Sequence, residues 1–446
     1  VLDATVRWVE RMPHLLFIAY RFPPTPASGA NRTWPLAKYL ARIGWTVTVV
    51  SAREASFSRQ NGVRKMRDAC RHEGVNWITV GTATWSADTS GAVVPSWERL
   101  RSLLRRAVQG VARRVFRLPW DELWSLHAYV GLTLRPPIHP DVVLATGKPF
   151  SSFLLARIFA RRFQVPYVLD YRDPWTVNPY RAPGGGSTLV QRLERWALSG
   201  AHGTTMVSPS QAEAQHETFR DHPRPTVITN GFDPEQLAPA PRPDARRCTI
   251  IYAGILYPGK RDIDPVLKSL ALALQCRASL SRPFEFHYYG ANAELVRSKV
   301  SEYHLDSVSH VYGHTRQADV LTAISRADVS VVITGVQDRA GAAERGIVTG
   351  KIFEAIGLGT PILLISPRDS DARQMLEAAG NSGRAFCASE VEAMADWLME
   401  INLRPPQRPS PSPRFSWPVL AKDFDMVLRK ALSAPRSGSP IGEVEE

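Results

Sequence analysis

Short apolar runs, rich in β-branched and aromatic residues, alternate with helix-length segments along nearly all of this 446-residue chain. His14–Tyr20 is the first such run, and Trp45–Val50, Asn76–Val80, Asp141–Thr146, Tyr167–Tyr171, Thr204–Ser208 and Pro225–Asn230 follow. Near-continuous runs of this kind suit parallel strands, because crossover helices cover both faces of such a sheet. Trp34–Ile43 and Ser151–Phe163 are among the helical segments between them. Strand–helix–strand alternation of this sort predicts a doubly wound α/β domain.

The pattern pauses at 238–247 (APAPRPDARR), where proline and charge mark a linker, and then starts again. Thr249–Gly254, Phe284–Gly290, Val308–Gly313, Val329–Thr334 and Pro361–Ser366 read as a second set of buried strands, with helices at Asp264–Ala278 and Lys351–Leu358. The expected organisation is an N-terminal domain over 13–237, a linker over 238–247 and a C-terminal domain over 248–403. A proline-rich connector and a helix then occupy 404–432, and 433–446 has the composition of a disordered tail. Residues 1–12 read as an extension, with translation starting at Met12. Two doubly wound domains facing across a cleft would place ligands beyond the carboxyl ends of their strands.

Composition narrows the function. Hydrophobic residues make up 44% and charged residues 22%, the profile of a globular protein, and no run approaches the ~18 apolar residues of a membrane span. No secretory signal is apparent, which predicts a cytoplasmic protein. The four cysteines (Cys70, Cys248, Cys276, Cys387) form no CxxC pair and read as isolated thiols. Among the eleven histidines, His310 and His314 are four apart, but Gly313 intervenes at a strand end, and no metal site is expected.

The net charge of +13 suggests nucleic acid, but seven arginines fall within 99–117, with no acidic residue among them; without those seven the balance is +6. A nucleic-acid partner is therefore not expected. Read as a helix, 99–117 places Leu100, Leu103, Leu104, Val108, Val111 and Val115 on one face and its arginines mostly elsewhere. That pattern suits an anionic membrane surface, with a solvated helix as the alternative.

The strand-end loops hold the candidate chemistry. After the first strand, Ser28, Gly29 and Ala30 precede a helix start, which allows close approach of an anion, or else form a simple turn. After Tyr167–Tyr171, the side chains of Asp170, Arg172, Asp173 and Trp175 crowd one strand end: carboxylates for sugar hydroxyls or a nucleophile and an indole for stacking, or an Arg–Asp pair that closes the turn. Pro183–Ser187 is glycine-rich, as a mobile lid would be. In the second half, Gly254 opens a loop that delivers Lys260 and Arg261, cations of the kind a diphosphate requires. Thr349 and Gly350 lead into a helix at Lys351. Its first amides could hold phosphate, and Glu354 in its first turn could accept from ribose hydroxyls or simply complement the helix dipole.

Together, FPPTPASGANR, DYRDPW, VITNGFDP at 227–234 and GIVTGKIFEAIGLGTPILL at 346–364 resemble the GT4-type glycosyltransferases of GT-B fold, over about residues 13–431. The resemblance implies two Rossmann-like domains with a C-terminal helix returning to the first. It also implies retaining sugar transfer from a nucleotide diphosphate donor, without metal or other cofactor. Lys260 then corresponds to the family lysine on the donor diphosphate, and Glu354 to the second glutamate of the family's EX7E motif. In this frame Lys260, Asp170 and Asp173 are the catalytic candidates. Ser28, Gly29, Gly254, Lys260, Arg261, Thr349, Gly350, Lys351 and Glu354 are the donor-binding candidates, and Arg172 and Trp175 the acceptor or sugar contacts. The sequence departs from the family at Ile255, where an arginine is usual, and at Gly346, where the first glutamate belongs; Glu344 is two positions away. The acceptor expected from the basic segment is a lipid-linked or polysaccharide precursor. The competing readings are a catalytically degenerate GT-B partner protein and a nucleotide-sugar epimerase.

Overall fold

A computed structural model describes residues 11–25, 29–53, 60–82, 120–178, 188–237, 246–275, 280–404, 408 and 410–434. Ser28, the basic segment 99–117, the glycine-rich stretch 183–187, Cys276 and most of the 238–247 linker therefore lie outside the described residues.

Contacts divide the chain into two units: the described residues within Val1–Met206, Phe219–Thr226 and Ala421–Glu446, and those within Val207–Thr218 and Val227–Leu420. Residues 207–218 and 227–237, which the linker position assigns to the first half, thus pack with the second unit. In the first unit, β1 (His14–Ile18), α1 (Ala30–Arg42), β2 (Thr46–Arg53), α2 (Gln60–His72), β3 (Val75–Thr82), α3 (Trp120–Thr133), β4 (Val142–Thr146), α4 (Ser151–Phe163), β5 (Tyr167–Tyr171), α5 (Thr188–Leu198) and β6 (Gly203–Met206) succeed one another. α6 (Pro209–Thr218) and the short β7 (Thr226–Val227) follow. The first sheet has the order β3-β2-β1-β4-β5-β6-β7, with the pairs from β3 to β6 parallel. Leu15, Leu16, Phe17 and Ile18 are wholly buried, as expected of a strand covered on both faces.

α1 begins at Ala30 rather than near Trp34, so that Pro35 lies inside it. Side chains of its first turn explain the early start. The Thr33 hydroxyl donates to the Arg21 carbonyl at 2.9 Å, and Arg32 is tied to Asp170. These anchors offset the single helical hydrogen bond that proline removes.

The second unit contains β8 (Cys248–Ala253), α7 (Asp264–Gln275), β9 (Phe284–Tyr289), α8 (Ala293–Glu302), β10 (Ser309–Gly313), α9 (Gln317–Arg326), β11 (Val329–Ile333), α10 (Ala342–Arg345), α11 (Gly350–Gly357), β12 (Ile362–Ile365), α12 (Asp371–Ala378), β13 (Arg384–Phe386) and α13 (Val391–Leu403). Its parallel sheet runs β10-β9-β8-β11-β12-β13. Strand order reverses between β1 and β4 in the first sheet and between β8 and β11 in the second, and in open α/β sheets such reversals are where ligands bind, beyond the carboxyl ends of the strands.

α14 (Trp417–Leu432) returns to the first unit from Ala421 onward. Asp425 accepts from the Trp45 indole at 2.7 Å, Arg429 lies over that indole, and Phe424 lies beneath the Arg32 guanidinium. Cys70, Cys248 and Cys387 are free and buried, and burial pushes the thiols of Cys70 and Cys248 up to about 12, which leaves them inert. Among the described residues, no helix is long and apolar enough to cross a membrane.

Candidate active site

The reversal in the second sheet brings together most of the expected donor ligands. Gly254 follows β8, and its carbonyl accepts from the Tyr288 hydroxyl at 3.0 Å. The Leu256 amide donates to the Asn292 side chain at 2.9 Å. Backbone bonds then close a turn from Tyr257 to Arg261, and the Val336 amide, beyond β11, donates to the Lys260 carbonyl at 3.2 Å. The loops that follow the two central strands are thus joined. Tyr252 and Tyr288, stacked 6.0 Å apart beneath the loop, fix it from below.

Gly254 leaves room for the Lys351 ammonium. A Cβ there would stand 2.4 Å from the Lys351 ammonium nitrogen, so this lysine lies directly on the loop backbone. Burial pushes Lys351 below the ordinary lysine range; Glu354 opposes that shift and Arg261 adds to it. Burial also raises the Glu354 carboxyl above its ordinary value, against the pull of Lys351 and of Gln317, whose amide donates to it at 3.2 Å. A cation that is held partly desolvated beside a second cation favours an anionic ligand between them. Thr349 is the N-cap of α11, and its hydroxyl is buried with no hydrogen-bond partner among the described residues. Lys260 is exposed on the turn, next to Arg261, whose guanidinium lies over the Tyr257 ring. Ile255, the departure from the family arginine, is about half exposed.

The second departure has a steric cause. A Cβ on Gly346 would stand 2.6 Å from the Gln211 side chain and 2.8 Å from the Ser208 hydroxyl. Both side chains donate to the Gly346 carbonyl at 2.9 Å. No glutamate fits here unless that packing opens. Glu344 does not substitute for it, because its carboxylate turns back to accept from the Gly341 amide at 3.2 Å, as a helix cap.

The first unit corrects two expectations. Asp170 is fully buried, and both of its oxygens are already in use: Arg32 donates to them at 2.7 and 3.0 Å, and the Thr146 and Thr205 hydroxyls at 2.8 and 2.7 Å. Desolvation alone would raise its pKa, but the Arg32 charge and these hydrogen bonds hold it below the usual carboxylate range. Asp170 therefore has no lone pair left for an acceptor and is a structural ion pair, not a catalytic group. Trp175 is 6% exposed and stacks on Phe150 at 5.0 Å, with Phe153 at its edge. It belongs to the aromatic core and offers no platform for a sugar. The amide and hydroxyl of Thr176 both donate to the buried Glu194, which fixes this turn.

Arg172 and Gly29, on two different strand-end loops, come together. A Cβ on Gly29 would collide with the Arg172 guanidinium, so only glycine admits that side chain. Burial lowers the Arg172 pKa, Asp173 raises it, and Arg21 lowers it further. Asp173 is half exposed and 3.9 Å from Arg172, too far for a hydrogen bond, which leaves its carboxylate available. Sequence reasoning missed Arg32, Tyr288, Asn292 and Gln317; each acts on a residue distant in the chain, and no local pattern marks them.

The family model described as Glycosyltransferase Family 4 matches residues 28–236. Residues 28–236 thus match a Glycosyltransferase Family 4 model, and the chain as a whole has the GT-B fold. Three solved structures of this fold illustrate the likeness. A glycosyltransferase from Rickettsia africae is 14% identical, with a TM-score of 0.58, covering 95% of this chain and 99% of the other. The lipopolysaccharide outer core galactosyltransferase WaaB in its apo form is 11% identical, with a TM-score of 0.56, covering 93% and 99%. A UDP-N-acetylglucosamine 2-epimerase from Listeria monocytogenes, described as putative, is 13% identical, with a TM-score of 0.52, covering 96% and 99%. No curated protein matches the sequence. At these identities the likeness establishes the fold, and function has to be argued from the site.

Proposed function

We propose that this chain is a glycosyltransferase that moves a sugar from a nucleotide diphosphate sugar to an acceptor hydroxyl with retention of configuration, and that the second unit holds the donor. The observation that carries this is the packing of Lys351 against Gly254, with Arg261 and Glu354 beside it, at the reversal of the second sheet. The diphosphate lies between Lys351, Arg261 and the first amides of α11, with Lys260 closing over it from the turn. Glu354 accepts from the ribose hydroxyls. Fixed cations and amides stabilise the leaving diphosphate by preorganised electrostatics, and no metal is required. In the first unit, Asp173, Arg172 and the backbone at Gly29 are the groups that orient the acceptor or the sugar.

The acceptor proposed is a lipid-linked or polysaccharide precursor at the inner face of a membrane. The basic segment 99–117 supports this, as does an apolar stripe on α3, which follows that segment in the chain: Leu126, Tyr129, Val130 and, just past its end, Leu134 are exposed at three- and four-residue spacing. The solved neighbour that is a lipopolysaccharide galactosyltransferase is in keeping with such an acceptor.

Gly346 favours one alternative, a degenerate partner protein that binds a donor without turning it over. Donor hydrolysis by the purified chain, screened across UDP-, GDP- and ADP-sugars, separates the two. The proposal expects slow release of free sugar from one donor class, with retained anomeric configuration. Binding of a nucleotide with no hydrolysis or transfer at all would support the degenerate reading.

A further inference from the structure

One cluster of ligating side chains lies outside the donor subsite and shares no residue with it. Glu285 and His287 are two apart on β9 and so point to the same face of the sheet. The ladder sets His310 of β10 directly opposite His287, and Tyr312, two residues further along the edge strand, packs its ring against both imidazoles. One ligating atom from each of Glu285, His287 and His310 lies within 4.8 Å of the other two. We propose that these three residues form a binding site for a borderline transition-metal cation of the zinc class.

The spacing supports this. A metal about 2.0–2.2 Å from each ligand in tetrahedral geometry sets neighbouring ligand atoms roughly 3.3 Å apart. His287 Nε2 and His310 Nε2 already lie 3.4 and 3.6 Å from the two Glu285 oxygens. The imidazoles, whose ring centres are 4.9 Å apart and nearly perpendicular, need only a small closing movement.

Hydrogen bonding does not otherwise account for the arrangement. His287 Nε2 is buried and has no hydrogen-bond partner among the described residues. His310 is about half exposed, so the open side of the site admits the ion and leaves room for a water ligand. Two imidazoles and a carboxylate suit zinc, cobalt or nickel better than magnesium. Arg247 forms an ion pair with Glu285, so metal and guanidinium would compete for this carboxylate. A bound ion would cross-link the edge strand β10 to β9.

The test is calorimetry with Zn2+ on tag-free, chelator-stripped full-length protein, together with the visible spectrum of the Co2+ form. Wild type is expected to take one Zn2+ per chain and to show the intense absorption of four-coordinate Co2+. His310→Gln, a half-exposed change on an edge strand, should keep the far-ultraviolet dichroism and weaken binding by more than about a hundredfold, beyond the cost of losing an outer-shell partner. Arg247→Ala should bind Zn2+ more tightly than wild type. The site is overturned if wild type takes up no Zn2+, if His310→Gln binds it as wild type does, if Arg247→Ala leaves the affinity unchanged, or if Mg2+ binds equally well.

Discussion

The two units place charged side chains at equivalent points, the carboxyl ends of strands beside a reversal of strand order, and use them in opposite ways. In the first unit Asp170 meets four donors and Trp175 two phenyl rings, so both are consumed by structure. In the second, Lys351 and Glu354 are desolvated together beside Arg261, and the hydroxyl of Thr349 is buried with no partner among the described residues. A strand-end charge whose bonding capacity is filled holds the fold together. One that is left incompletely satisfied is a place for a ligand.

The comparison breaks most visibly at Asp170. Asp170→Ala removes the carboxylate that faces the buried Arg32, and breaking such a pair costs about 3–5 kcal/mol. Urea unfolding should show that loss in the first unit, and any fall in activity should follow the unfolded fraction. A fully stable variant with a specific catalytic defect would return Asp170 to the chemistry.

Lys351→Met should do the reverse. One charged hydrogen bond to a phosphate is worth about 1.5–3 kcal/mol, a roughly ten- to hundredfold loss of nucleotide affinity, with stability nearly unchanged. Lys260→Ala, on the exposed turn, should lose less. Equal losses for the two would shift the main phosphate contact out onto the turn.

Gly346→Glu tests whether the family glutamate is missing by sterics. Overpacking against Gln211 and Ser208 should cost about 1–3 kcal/mol and bring no gain in turnover. A stable, more active variant would show that the position is open.

The Glu354 carboxyl titrates above its ordinary value of 4.5 because it is buried. A raised acid pKa stabilises the folded state at pH below the unfolded value, and that contribution is lost as pH rises through the folded value. Ribose binding uses the ionised form, so nucleotide affinity should fall as pH drops through a midpoint above 4.5, and Glu354→Gln should flatten that profile. An identical profile in the variant would exclude the ribose role.

Much of this was legible in the sequence because parallel strands advertise themselves. Unbroken apolar runs located every strand of the first sheet and all but β13, three residues long, of the second. The glycines and cations of the donor loop were legible for the same reason, since they sit where a buried run ends. What the sequence concealed were contacts made across the chain. Nothing near Asp170 in DYRDPW reveals that Arg32, 138 positions earlier, claims it. His310 reads as half of a pair with His314 until the ladder sets it opposite His287. The missing glutamate at 346 reads as a lost function until Gln211 is seen to fill its place.

The central claim, that the loop after β8 and the start of α11 form one anion site, is tested most directly by Gly254→Ala. The added methyl would stand 2.4 Å from the Lys351 nitrogen, the far end of a flexible side chain, so it should displace the ammonium without unfolding the unit. Calorimetry with UDP, GDP and ADP on wild type and variant is the measurement. The account predicts that whichever nucleotide binds wild type binds the variant at least about tenfold more weakly, a difference of roughly 1.4 kcal/mol, at unchanged melting temperature. The same nucleotide affinity in both proteins would contradict it.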